Sequence, residues 1–362
     1  MIASALYHPL YLLLVLVLTI FVMSQYSVVD AYPHEDESLD KKRWALALTI
    51  FLIIVIGFRP HHGFVDTGNY VIEYRVFHFG KTFQWDWDAD NFIFDNLFAL
   101  FGSLKIPIDY FFLLIATIYF GGIFWACRKL FPNDTYLTLL VYLGAFSTFS
   151  YGTNGIKSGA AASLFLLALA YRDIWWKAGI FLILSLGFHH SMAAPIAVFI
   201  IAYFVKERKY SLLIWIVALI MAALQITFFQ ELFAGLTDEQ GAGYLQVTDK
   251  FQWVSGFRPD FILYSAIPIF LGDYIMRKYE IESEEYDFLW NVYTLANAIF
   301  LLCTYGSFIN RIAYLSWLMY PFVLIYPFLK ADLGYYQNRY LSYVVYGHLG
   351  FTLFMTFIYY GI

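Results

Sequence analysis

Apolar runs of about 15 to 23 residues recur along the chain, separated by short polar turns. A helix rises 1.5 Å per residue and the hydrocarbon core of a bilayer is about 30 Å thick, so runs of this length read as membrane-crossing helices. The pattern predicts about twelve of them, near 5–23, 44–58, 108–126, 135–150, 155–171, 174–187, 190–205, 211–229, 259–276, 287–304, 309–328 and 340–360. The period-two alternation of half-buried strands is absent. One further segment, "NFIFDNLFALFGSLKIP" (91–107), is apolar on one face but carries Asp95 and Lys105. It is expected to lie flat on the membrane surface or dip into it rather than cross. No internal repeat, low-complexity tract or soluble domain interrupts the pattern, which points to one all-α polytopic membrane domain over 1–362.

Composition strengthens that reading. Hydrophobic residues make up 61% of the chain against 14% charged, with a mean hydropathy of +0.64. That is more apolar surface than a soluble domain can hide. No basic footprint for nucleic acid is visible. The first apolar run lacks a basic leader and a small-residue cleavage site, and is expected to be a retained helix. Cys127 and Cys303 fall at opposite faces of the expected topology, which leaves neither a disulfide nor a metal-ligand spacing; both read as buried fillers.

Fourteen of the 22 Lys and Arg residues, from Lys41 to Arg339, fall on connections of one side. By the positive-inside rule that side is cytoplasmic, and both termini are expected outside. The two longest connections, near 59–107 and 230–258, then face out, and long charged loops on one side of a bundle are where function concentrates.

The external side holds four polar clusters. "GFRPHHGFVDTGNYVIEYRVF" (57–77) carries Arg59, His62, Asp66, Asn69, Tyr70 and Glu73. Asp66, Tyr70 and Glu73 recur at i, i+4 and i+7 and share one face of a helix, with Asp66 expected to cap it. "SYGTNGIKSGAAASL" (150–164) places Asn154 and Lys157 at the outer start of a helix whose small residues allow close packing. "LGFHHSMAAP" (186–195) sets His189 in a tight turn, and "YGSFINRIAYLSW" (305–317) brings Arg311 into a helix. A cation at a helix start opposes the macrodipole, so an anionic partner is expected for Arg311. The aromatics Tyr70, Tyr74, Phe77, Trp85 and Trp87 suit sugar stacking. Each cluster also has a blander reading: a lysine snorkelling to the interface, a hydrogen-bonded structural histidine, an interfacial aromatic belt in which Trp85 and Trp87 sit.

The ordered set "GFRP…DTGNY", "NGIKSGAAASLFLLA", "FHHSMAA" and "NRIAYLSW" resembles the EpsG-type exopolysaccharide polymerases, relatives of the Wzy O-antigen polymerases, over about 44–330. The resemblance implies a GT-C-like membrane glycosyltransferase in exopolysaccharide, capsule or O-antigen synthesis. Its substrate would be oligosaccharide repeat units on polyprenyl pyrophosphate, joined by inverting transfer at the outer leaflet of the bacterial cytoplasmic membrane. Polysaccharide-assembly proteins such as a chain-length regulator would be partners, with membrane lipid around the helices.

That chemistry needs cations for the leaving pyrophosphate and a base for the acceptor hydroxyl. Arg59, Arg311 and Lys157 can supply the first without a metal or other cofactor, and Asp66, His189 or Glu73 the second. Asn69, Tyr70, Asn154 and His62 suit glycan binding. Three other readings share the oily chain and external charges: a flippase for lipid-linked oligosaccharide, a membrane acyltransferase and a ligase acting on cell-surface glycans.

Overall fold

A computed structural model describes residues 3–26, 38–80, 82–234, 257–306 and 309–359. Among them there are helices and no strands. The helices are α1 (Ser4–Tyr26), α2 (Leu39–Gly57), α3 (Val65–Gly80), α4 (Phe92–Ser103), α5 (Ile108–Leu130), α6 (Thr135–Leu143), α7 (Thr148–Thr153), α8 (Ile156–Ala170) and α9 (Trp175–Phe188). They continue with α10 (Ala193–Ala202), α11 (Arg208–Ala223), α12 (Phe228–Ala234), α13 (Pro259–Lys278), α14 (Glu284–Leu302), α15 (Ile309–Trp317), α16 (Tyr320–Lys330) and α17 (Gln337–Leu353). Among the described residues four helical stretches are long and apolar enough to cross a membrane: Ser4–Tyr26, Ile108–Leu130, Ile309–Lys330 and Gly334–Tyr359. Most of the external connection expected near 230–258 lies outside the described residues.

The described residues form two compact units, Met1–Met192 with Phe328–Ile362, and Ala193–Pro327. In the first, α5 packs against α2 and α8, and α8 against α9. Leu6, Leu10, Leu13, Val17 and Ile20 form an exposed apolar stripe on α1, while Tyr7, Tyr11, Leu12 and Val15 are buried behind it. An apolar face turned outward is what lipid contact requires.

The helix expected over 135–150 is broken. It stops at Leu143 and restarts at Thr148. The carbonyls freed at the break are met by side chains: Tyr11 Oη donates to Leu143 O at 2.7 Å, Thr352 Oγ1 to Gly144 O at 2.8 Å and Tyr119 Oη to Thr148 O at 3.0 Å. Irregular backbone inside a membrane bundle survives only where protein satisfies it in this way. Periodicity shows none of this, because the partners come from α1, α5 and α17.

A second break at Asn154–Gly155 lets α8 start beside the end of α7. A Cβ on Gly159 would collide with the Tyr151 carbonyl, so this position requires glycine. We expect Gly159→Ala to cost about 1–3 kcal/mol, read as a lower unfolding temperature in detergent, because a backbone atom cannot move aside as a side chain can.

The 91–107 segment packs more deeply than a surface helix. Phe94 and Phe98 are buried, with ring centroids 5.3 and 5.1 Å from Phe111 of α5. The 12 residues of α4 span only about 18 Å and cannot cross.

In the second unit, Arg208 at the start of α11 pairs at 3.0 Å with both Asp273 near the end of α13 and Asp287 in the first turn of α14. One cation thus gathers three helix ends that the positive-inside count assigns to the same face. Cys127 and Cys303 are buried and unbridged, as expected.

Candidate active site

The sequence "RPHHGFVDT" folds back on itself between α2 and α3. Gly63, at φ +91°, makes the turn that a residue with a Cβ rarely adopts. Arg59 follows the last turn of α2 and is only 2% exposed. Its Nε and Nη2 donate to Thr67 Oγ1 at 3.1 and 2.9 Å, and its Nη1 to Ile56 O at 3.0 Å. Thr67 Oγ1 in turn donates to Thr153 O at 3.1 Å, the carbonyl where α7 ends. The guanidinium lies against Phe112, 4.5 Å from the ring centroid, and has no carboxylate partner among the described residues. Burial lowers its pKa to about 10, which leaves it charged at neutral pH. Arg59 therefore spends three of its N–H groups on protein acceptors, two of them on Thr67.

One turn further along α3, Tyr70 lies beside Lys157. The Lys157 ammonium is 5.9 Å from the Tyr70 ring centroid and 4.9 Å from that of Phe94. Its Nζ pairs with Asp95 Oδ1 at 2.8 Å, both side chains being partly exposed. Asp95 Oδ2 accepts the backbone N–H of Asn91, the N-cap of α4, at 3.1 Å, so one carboxylate serves both a helix start and the lysine. Asn91 Oδ1 accepts the His190 backbone N–H at 3.3 Å. The starts of α4 and α8, the end of α9 and the flank of α3 therefore meet through one polar chain.

The start of α8 adds to the local potential. No side chain caps its first turn, so its orphan N–H groups and the macrodipole present positive charge beside Lys157. Asn154, just before it, has a buried Oδ1 with no hydrogen-bond partner among the described residues. Among those residues no group of His, Cys, Asp or Glu is arranged to hold a metal.

The remaining candidates distribute unevenly. Asp66 is half-buried in the first turn of α3, one turn before Tyr70 and on its side of the helix. The helix already begins at Val65, so Asp66 sits inside the first turn and is not the N-cap expected from sequence. Asn69, Glu73 and His62 are exposed. His189 is half-buried, and its Nδ1 accepts the Ser191 backbone N–H at 3.1 Å. Arg311 is exposed on α15, in the second unit.

Sequence reasoning passed over Asp95 and Asn91, although their i, i+4 spacing at an amphipathic helix start was visible. It also passed over Thr67 and the pair of His61 with Asp109, 3.0 Å apart. Asp95 meets Lys157 62 residues on, Asn91 meets His190 99 residues on, Thr67 meets Thr153 86 residues on and His61 meets Asp109 48 residues on, and no local pattern links these pairs.

The EpsG family model matches residues 42–361, nearly the whole chain. The chain belongs to the EpsG family. Members are polysaccharide polymerases of exopolysaccharide synthesis, and the apolar helices place this EpsG-family protein in a membrane. No curated protein and no solved structure matches it.

Proposed function

We propose that this protein is an inverting glycosyltransferase that joins repeat units carried on polyprenyl pyrophosphate, at the outer face of the bacterial cytoplasmic membrane. What carries the reading is the uncapped start of α8 with Lys157 on it, beside Tyr70 of α3. A glycosyl pyrophosphate gathers negative charge as its bond breaks, and fixed donors aimed at that charge lower the barrier. Lys157 and the α8 dipole supply such donors, and Arg59 adds positive potential from behind Thr67. The Lys157–Asp95 pair is partly exposed, so an anion with more charge can reach it and displace the carboxylate. Asp66 then stands as the base for the acceptor hydroxyl.

The twelve-crossing, GT-C-like arrangement belongs to the same proposal, with the shorter apolar helices crossing beside the four long ones. Labelling of single cysteines placed in each connection tests the count and the outward face of the site.

The enzymatic test is incubation of purified protein in nanodiscs with one lipid-linked repeat unit. A product ladder is expected. An added acyl mass would mean an acyltransferase, and no covalent change would mean transport. Lys157→Met is expected to lower ladder formation about a hundredfold at normal protein levels. Near-normal ladders from that variant would remove Lys157 from the site.

A further inference from the structure

The loop before α4 has a feature that polymer bond formation does not use. In "FQWDWDAD" (83–90) aromatic and acidic residues interleave. Trp85 and Trp87 are exposed, at 45% and 76%, yet they are not loose. Their ring centroids lie 5.9 Å apart and each sits against Phe92, at 5.3 and 5.5 Å. The backbone beneath them is fixed by Asn96, itself 2% exposed. Asn96 Oδ1 accepts the Asp86 N–H at 2.8 Å, and its Nδ2 donates to Asp86 O and Phe92 O, each at 2.8 Å. Asp86 Oδ1 accepts the Asp88 N–H at 3.0 Å and tightens the turn.

We propose that Trp85 and Trp87, tilted 58° to one another and braced on Phe92, offer two stacking faces that cradle a glycan chain, with Asp86 and Asp88 accepting hydrogen bonds from sugar hydroxyls. The proposal rests on the polymerase reading for its biological role but not for its geometry. Rigid aromatic faces with acceptors at their edges match a pyranose, whose axial C–H groups are apolar and whose rim is hydroxylated. Asp86, Asp88 and Asp90 beside the rings add hydrogen-bond acceptors that a purely interfacial aromatic anchor does not need. The same carboxylates restrict the class of glycan: neutral or amino-bearing chains fit, and uronate-rich chains are repelled. The platform leads directly into Asn91 and Asp95, so a chain lying on it runs toward Lys157.

The test uses the full chain in nanodiscs and short fragments of the host's own exopolysaccharide, made by partial acid hydrolysis, with binding read by calorimetry. The parent protein is expected to bind, and the Trp85→Ala/Trp87→Ala variant about tenfold more weakly. Both side chains are exposed, so the variant should fold normally. Transfer of one lipid-linked unit should persist in it while long products disappear. Equal binding by parent and variant would overturn the platform, as would quenching of these rings by nitroxide-labelled lipid. Trp-dependent binding without any ladder would sink the polymerase reading and leave the platform standing; a ladder without Trp-dependent binding would do the reverse.

Discussion

Asp66→Asn lowers turnover of the purified protein about a hundredfold, with binding of the lipid-linked donor close to that of the parent. Asparagine keeps the size of the side chain and loses only its basicity and charge. Asp66 is half-buried, one turn before Tyr70 on the same side of α3, and Tyr70 lies beside Lys157, so the proposed base and the proposed cation are linked through one helix face. His189 is the weaker candidate on geometry. Its Nδ1 lone pair already accepts the Ser191 N–H, which puts the proton of the neutral ring on Nε2 and makes that atom a donor. His189→Gln, which can still donate, should therefore be the milder lesion. Glu73 is exposed two turns along α3. Substantial polymer from Asp66→Asn with a defined acceptor would end its assignment as base, and a severe His189→Gln would transfer the role.

Arg59→Met is expected to cut polymer at least tenfold without unfolding the protein. A buried cation with no carboxylate partner costs several kcal/mol in desolvation, so replacing it with an apolar side chain of similar reach is often neutral or stabilising. The surroundings tolerate the change. Thr67 keeps its bond to Thr153 O, and Ile56 O keeps the Arg59 backbone N–H at 3.3 Å. What is lost is fixed positive charge behind the site, and we expect at least a tenfold loss of ladder with an unchanged or higher unfolding temperature. A drop in unfolding temperature that accounts for the lost activity would make Arg59 a brace and nothing more.

These two residues show what the sequence carries and what it does not. Asp66 and Tyr70 are legible as helix neighbours because their relation is local, and α3 forms where the spacing predicts it. Arg59 and Lys157 are legible as charges next to apolar runs. Their surroundings are not: Arg59 turns inward to Thr67, and Lys157 meets an aspartate 62 residues away. Asp95 looks like the polar edge of a surface helix until α4 is packed against α9 and α5. The break at 144–147 is hidden for the same reason, since Tyr11 and Thr352 compensate it from opposite ends of the chain.

The hairpin of α8 and α9 has 15 and 14 residues, while α5, packed against α8, has 23. At 1.5 Å per residue the hairpin is about 22 Å long and α5 about 35 Å, against a hydrocarbon thickness near 30 Å. Under the proposed twelve-crossing arrangement, mismatch of this kind would draw the bilayer inward around the short pair. Lys157 and the His189 turn, at one end of the hairpin, would then sit at the floor of a dimple in the leaflet. A lipid-linked donor of the kind proposed would sink its headgroup on arrival, and lipid thickness would become a variable that tunes access to the proposed site.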